Sequence, residues 1–178
     1  MKQFLKLFIP LLLIGVVVFL VNSISGKVKH IAKAGKVSPI MPGFRFYDLS
    51  GNDFSKATLR ENDTAIIYFN SECEHCQYEI KAIKENIEQF ANSNIVMVSG
   101  ESREAILAFA KEYELSEYSN IHVLEDKDDT FFSTFGSNMV PSIFIYGKNK
   151  MLIKHFKGET KISAILKYLH QDEAVKAQ

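Results

Sequence analysis

The tetrapeptide Cys73-Glu74-His75-Cys76 follows the apolar run Ala65-Ile66-Ile67-Tyr68-Phe69 and precedes a stretch with helical periodicity. It contains the only two cysteines of the 178-residue chain. The spacing places both thiols within one helical turn. Cys73 then lies at the helix N-terminus, where unpaired N–H groups and the positive end of the dipole favour a thiolate. A thiolate is the nucleophile of disulfide exchange, and the second thiol can resolve a mixed disulfide, so the pattern favours a redox-active pair.

Composition makes several other classes of protein less favoured. The chain has 21 basic and 21 acidic residues and no basic stripe interleaved with aromatics, so we expect no nucleic acid partner. A disulfide across a two-residue spacer closes too short a loop to stabilise a fold much. Zinc needs about four ligands, and only His75, His122 or His155 are available beside the two cysteines. We therefore predict neither metal nor cofactor, and a membrane-tethered metal-binding module is kept as the non-enzymatic alternative.

The N-terminus carries an uncharged segment from Leu7 to Gly26, preceded by Lys2 and Lys6. About 20 apolar residues suffice to span a bilayer, whereas a cleaved signal peptide has a shorter core and small residues before the cut. Residues 1–21 are therefore predicted to be a signal anchor or a signal peptide. The polar, lysine-rich residues 22–38 are predicted to form a tether.

The orientation of this segment has two opposing indications. Four lysines come after the apolar run, which by the positive-inside rule would keep the C-terminal domain in the cytoplasm. An N-terminal apolar segment with a short basic lead normally directs the export of the domain attached to it, and an isolated CxxC pair suits an oxidising compartment. We favour a single-pass protein of the cell inner membrane whose soluble domain faces the periplasm or the cell exterior.

The rest of the chain alternates strand and helix patterns, which predicts an α/β fold with a central mixed sheet and helices on both faces. We assign this domain to residues 39–172 and a tail to residues 173–178. The predicted strands are a hairpin around the turn Ser50–Asp53, Ala65–Phe69, Ile95–Val98, Ile121–Leu124, and a second hairpin of Ile143–Tyr146 with Met151–Phe156. The predicted helices are one from the cysteines through Phe90, one over Ile106–Tyr113, a short one ending at Phe135 and capped by Asp128 or Asp129, and one over about Thr160–His170.

This arrangement resembles the thioredoxin superfamily, and within it the membrane-tethered TlpA/ResA-like branch of redoxins, also called the AhpC/TSA type. The resemblance rests on the entry Pro42-Gly43-Phe44, the CxxC pair after an apolar strand, Val140-Pro141 before another apolar strand, and Gly158. It implies a thioredoxin-like fold in which Cys73 attacks and Cys76 resolves. It also implies a cis peptide bond before Pro141 and a Val140 backbone that pairs with bound substrate. An ordinary trans turn proline is the alternative.

Three positions depart from the pattern of the superfamily. Glu72 replaces the usual Trp, His75 replaces a common Pro, and Ile67 stands where thioredoxins carry a buried Asp. A donor histidine beside Cys73 would stabilise the thiolate and make the disulfide more oxidising, whereas the neighbouring carboxylates act in the opposite sense. His75 is thus a candidate catalytic residue, with a solvated side chain as the alternative.

Glu79 is the candidate proton acceptor for Cys76, because it matches a glutamate of ResA-like proteins and lies one helical turn from the thiol. The alternative is a surface carboxylate paired with Lys81 or Lys84.

The expected function is a membrane-tethered thiol–disulfide oxidoreductase that acts through Cys73 and Cys76. The resemblance implies reduction of protein disulfides, including those of apocytochrome c in cytochrome c maturation, with electrons from a membrane thiol donor. A disulfide oxidase or isomerase is the alternative within the same chemistry. A thiol peroxidase is less favoured, because Asn70-Ser71-Glu72 lacks the Pro and Thr that precede a peroxidatic cysteine.

Overall fold

The computed structural model describes residues 37–170. Its strands are β1 Arg45–Asp48, β2 Asp53–Ser55, β3 Asp63–Tyr68, β4 Ser93–Ser99, β5 Ile121–Glu125, β6 Ser142–Tyr146 and β7 Leu152–Lys157. They form one sheet in the order β2-β1-β5-β4-β3-β6-β7. Strand β3 runs parallel to β4, and β4 runs parallel to β5, while the other neighbouring strands are antiparallel. The predicted mixed sheet is confirmed, with β3 and β4 near its centre.

Helices cover both faces of the sheet, as predicted. They are α1 Glu74–Glu85, α2 Arg103–Glu112, α3 Phe131–Phe135 and α4 Ile162–Leu169, with 3-10 turns at Lys56–Thr58, Ile87–Phe90 and Leu115–Glu117. Successive residues of a strand point to opposite faces. Ala65 and Ile67 of β3 therefore pack with α1, α2 and α4, whereas Ile66 packs with the phenylalanines of α3. The continuous apolar run of β3 reflects burial on both faces.

The helix predicted from the cysteines through Phe90 is interrupted at Asn86. Helix α1 ends at Glu85, and the Asn86 amide donates a hydrogen bond to the Ala82 carbonyl at 2.8 Å. A tighter 3-10 turn then carries Phe90 into the core, where it is fully buried. The apolar periodicity continues across the break, so the pattern predicted the buried face but missed the change of helix type.

The cap predicted for α3 at Asp128 or Asp129 is wrong, because Asp126 supplies it. The Asp126 carboxylate accepts hydrogen bonds from the Thr130 and Phe131 amides at 2.9 and 2.8 Å and from the Thr130 hydroxyl at 3.0 Å. Asp128 is exposed and accepts a hydrogen bond from the Tyr47 hydroxyl instead. Asp126 takes the capping position because the chain turns directly after β5, which points its buried side chain at the start of α3.

The described chain enters the domain along the edge strand β7. The Met41 amide donates to the Lys150 carbonyl, and the Leu152 amide donates to the Pro39 carbonyl, both at 2.8 Å. The predicted signal segment 1–21, all but the last two residues of the tether 22–38, and the tail 173–178 lie outside the described residues. Within residues 37–170, no helix is long and apolar enough to cross a membrane.

Replacing Asp126 by Ala should destabilise the domain by about 1–3 kcal/mol, because two amides and a hydroxyl then lose their acceptor in a buried setting. Asp128→Ala is the matched control, and it should change the free energy of unfolding by about 0.5 kcal/mol or less, since its contacts are exposed. Urea denaturation of both variants measures the difference. Equal midpoints would show that Asp126 does not cap α3.

Candidate active site

Cys73 lies at the junction between the sheet and α1. It is the N-cap residue of the helix, with an extended backbone, and its carbonyl accepts the first helical hydrogen bond, from the Gln77 amide at 3.0 Å. Its side chain is partly exposed, whereas Cys76, one turn further along, is 3% exposed. Both cysteines carry free thiols. Cys73 is therefore accessible from solvent and Cys76 lies beneath the surface, the arrangement that disulfide exchange by such a pair requires.

The loop that leads from β3 to Cys73 is held by a carboxylate that the sequence reasoning missed. Glu101 accepts hydrogen bonds from the Ser71 amide at 2.7 Å and from the Ser71 hydroxyl at 2.6 Å. Gln77 of α1 closes the loop from the other side by donating to the Ser71 carbonyl. Because β3 and β4 are parallel, the residues that come after them meet at the same edge of the sheet. The polar stretch Ser99-Gly100-Glu101 after β4 was the available signal.

The surroundings of the Cys76 thiol disfavour its ionisation. Burial, the contact with Cys73 and the charge of Glu79 together raise the pKa of this thiol to about 12, against the opposing effect of a backbone hydrogen bond from Asn70. At neutral pH Cys76 therefore remains protonated, and it becomes a nucleophile only when a base takes its proton.

Glu79 is the buried carboxyl of this site. It is 2% exposed, and its Oε1 accepts a hydrogen bond from the Thr160 amide at 3.0 Å, whereas Oε2 has no hydrogen-bond partner among the described residues. Burial and, to a smaller extent, the charge of Glu159 raise the pKa of Glu79 to about 7, against the opposing effect of the Thr160 amide. A carboxyl with that pKa exchanges protons readily near neutral pH.

The alternative prediction, that Glu79 is a surface carboxylate paired with Lys81 or Lys84, is wrong. Lys84 pairs with Glu114 at 3.0 Å, and the Lys81 ammonium lies 5.8 Å from the centroid of the Tyr113 ring. Glu79 instead shares a small cavity of about 10 Å³ with Cys76, walled by apolar side chains of β3, β4 and α1. The thiol and the carboxyl thus border the same small cavity, on one face of α1.

His75 lies on the protein surface, between the two cysteines in sequence. Its side chain is 70% exposed, and Nδ1 is 2.6 Å from Oε2 of Glu159. Among residues 37–170, no histidine, lysine or arginine donates a hydrogen bond to either sulfur. The structure therefore brings His75 to Glu159 and does not bring its ring into a hydrogen bond with Cys73.

The peptide bond between Val140 and Pro141 is cis, which confirms the geometry implied by the resemblance. Val140 and Cys73 are both partly buried and pack against the same core cluster. The Pro141 carbonyl accepts a hydrogen bond from the Gly158 amide at 2.8 Å. Gly158 has a φ of 84°, a conformation that favours glycine.

The two histidines considered as further metal ligands lie elsewhere in the domain. His122 packs on Phe54 with ring centroids 4.9 Å apart, and His155 stacks on Phe144 at 4.0 Å. In residues 37–170, no group of three or more His, Cys, Asp or Glu side chains is placed to hold a metal ion. The alternative of a metal-binding module therefore finds no ligand set around Cys73 and Cys76 in this part of the chain.

Comparison with known proteins agrees with this geometry. The AhpC/TSA family matches residues 37–155. The chain belongs to this family. A curated relative, the thiol–disulfide oxidoreductase ResA of Bacillus thuringiensis, is 22% identical over 131 residues, covering 72% of this chain and 73% of the relative. The predicted resemblance to redoxins is confirmed.

Solved structures show the same fold. DsbF of Mycobacterium tuberculosis superposes with a TM-score of 0.65 at 18% identity, covering 76% of this chain and 98% of that one. A thiol peroxidase from Chromobacterium violaceum reaches 0.66 at 12% identity, with 79% and 91% covered. Membership of the AhpC/TSA family and the free Cys73–Cys76 pair identify the protein as a thiol–disulfide oxidoreductase with a thioredoxin-like fold.

The buried Glu79 carboxyl makes the stability of the reduced domain depend on pH. Its pKa of about 7 lies above the ordinary value of 4.5, so the folded state holds the proton more tightly. The stability it contributes is present below about pH 4.5 and is lost as pH rises through about 7. Glu79→Gln cannot ionise. Between about pH 5 and about pH 8, the free energy of unfolding of the wild type should therefore fall by about 2 kcal/mol relative to that of Glu79→Gln.

Urea denaturation of the reduced proteins at both pH values measures this gain. Glu85→Gln, which changes an exposed carboxylate of the same helix, is the control and should show no such trend. A constant difference between Glu79→Gln and the wild type would mean that Glu79 ionises with an ordinary pKa.

Proposed function

We propose that the protein is a disulfide reductase in which Cys73 attacks, Cys76 resolves and Glu79 accepts the Cys76 proton. The observation that carries this proposal is the buried, raised-pKa pair of Cys76 and Glu79 beneath a partly exposed Cys73. A thiol with a pKa of about 12 requires a base, and the carboxylate that borders the same cavity is the group placed to serve.

The reaction then proceeds in two exchanges. The Cys73 thiolate attacks one sulfur of a substrate disulfide, forming a mixed disulfide and releasing the first substrate thiolate. Glu79 takes the Cys76 proton, and the new thiolate attacks the Cys73 sulfur. The Cys73–Cys76 disulfide forms, the second substrate thiolate leaves, and two electrons have passed to the substrate. A thiol donor must then reduce the pair again.

The charges around the pair support a reducing role over an oxidising one. Glu72 and Glu74 flank Cys73 on the surface, and Glu79 lies beneath Cys76. Carboxylates disfavour a further negative charge, whereas a strong oxidant such as DsbA owes its potential to a stabilised reduced form. His75, the cationic candidate, is bound by Glu159 on the surface and donates no hydrogen bond to Cys73.

Backbone groups near Pro141 support the binding of an extended substrate segment. Val140 packs against the same core cluster as Cys73. Proline has no N–H, so it offers no donor that competes with substrate for the sulfurs. We propose that the Val140 backbone pairs with the substrate segment that carries the disulfide.

The proposed setting is the outer face of a cell inner membrane, with residues 1–21 as the anchor. The uncharged run from Leu7 to Gly26, with Lys2 and Lys6 before it, supports this placement. Exported proteins would supply the disulfides, apocytochrome c among them, and a membrane thiol donor would supply the electrons.

The test is to trap the mixed disulfide. Cys76→Ser should accumulate a covalent adduct with a disulfide-bonded test protein, because the attacking thiolate remains and the resolving thiol is gone. Cys73→Ser is the matched control, and it should trap little, because Cys76 is buried and protonated. Non-reducing electrophoresis and mass spectrometry identify the adduct. Equal trapping by both variants, or by neither, would contradict the assigned roles.

A further inference from the structure

Three consecutive residues after β7 contact three separate parts of the active site. The Gly158 amide donates to the Pro141 carbonyl at 2.8 Å, Glu159 binds His75 at 2.6 Å, and the Thr160 amide donates to Glu79 at 3.0 Å. The Thr160 hydroxyl closes the segment on itself by donating to the Gly158 carbonyl at 3.1 Å. The segment 158–160 therefore links the cis proline, the residue between the cysteines and the buried carboxyl.

Glu159 is the charged member of this segment. Its side chain is 40% exposed and is fixed by the imidazole of His75, which comes from the first turn of α1. The next residue, Thr160, contacts Glu79 directly, and the charge of Glu159 is near enough to raise the pKa of the buried carboxyl. Like charges at short range disfavour ionisation of each other.

We propose that Glu159 is a positioning residue that, clamped by His75, sets the pH range in which Glu79 takes the proton of Cys76. The inference rests on the proposed role of Glu79 and adds a control element outside the CxxC motif. Within the described part of the chain, Glu159 touches neither the Cys73 nor the Cys76 sulfur. Its effect on the reaction therefore passes through Glu79.

The other groups around Glu79 leave Glu159 as the charge that matters. The neighbouring side chains are uncharged where they come from β3, from the residue after it and from β4: Ile67, Phe69 and Met97. The start of α1 contributes the two thiols and His75, and Lys161 before α4 is exposed. After burial itself, the Glu159 charge is the influence that raises the pKa of Glu79.

Removing that charge should move the resolving step toward acid. Glu79 must be ionised to accept a proton, so the rate of resolution rises as pH passes through its pKa. Without the Glu159 charge, ionisation becomes easier, and the midpoint should fall by roughly half a pH unit. Below the midpoint, Glu159→Gln should therefore resolve about threefold faster than the wild type.

The experiment follows the reaction of the reduced full-length protein with a symmetric aromatic disulfide whose released thiolate is coloured. The first thiolate reports attack by Cys73, and the second reports attack by Cys76 on the mixed disulfide. Stopped-flow traces across the pH range from about 5 to about 9 give the midpoint of the second phase, which lies in the range where Glu79 titrates. Glu85→Gln removes an equal charge from the far end of α1 and should leave that midpoint unchanged.

His75 variants test the clamp. His75→Ala releases Glu159 toward solvent and should shift the midpoint in the same direction as Glu159→Gln, whereas His75→Asn keeps a donor near the Nδ1 position and should restore it. If a variant changes the rate constant of the second phase but leaves the midpoint of its pH dependence unchanged, the role of the residue is merely structural and the proposal is overturned.

Glu79→Gln separates the two claims. If it abolishes the pH dependence of the second phase while Glu159→Gln matches Glu85→Gln, the role of Glu79 stands and the Glu159 inference is overturned. If Glu79→Gln keeps the wild-type profile, the proposed role of Glu79 fails, and the Glu159 inference fails with it.

Discussion

Desolvation of two ionisable groups on one face of α1 is the constraint around which this site is built. Cys76 and Glu79 are nearly inaccessible to solvent, and burial is the largest influence on the pKa of each. A buried charge is costly unless it is paired, so each group favours its neutral form. Near neutral pH Cys76 therefore keeps its proton, and Glu79, whose pKa is about 7, can receive that proton when a mixed disulfide forms on Cys73.

The fold meets this constraint with backbone groups supplied from distant parts of the chain. The parallel strands β3 and β4 end at one edge, where Glu101 holds the loop before Cys73. The segment 158–160, which comes directly after the β6–β7 hairpin, supplies the Thr160 amide to Glu79 and the Gly158 amide to Pro141. Residues that follow the strands therefore hold both the loop before Cys73 and the Glu79 carboxyl.

Local pattern in the sequence predicted the main strands and helices, and the resemblance to redoxins supplied the candidate site residues, whereas Glu101 and Glu159 were missed. The apolar run before the cysteines predicted β3, and the CxxC spacing predicted the helix N-terminus at Cys73. Partners far apart in sequence could not be predicted this way. Glu79 meets Thr160 across 81 positions and His75 meets Glu159 across 84, so neither the burial of Glu79 nor the engagement of His75 followed from helical spacing. The α3 cap was missed because Asp126, Asp128 and Asp129 lie in one turn and only tertiary geometry selects among them.

The most direct test of the account is a redox titration of the Cys73–Cys76 pair in the full-length protein, against dithiothreitol and glutathione buffers, with thiol alkylation as the readout. The acid-rich surroundings and the protonated Cys76 predict a single two-electron transition near the potential of thioredoxin, about −270 mV. A transition near that of DsbA, about −120 mV, would mean that the site stabilises its thiolate and works as an oxidant. The absence of any reversible transition would contradict the oxidoreductase function itself.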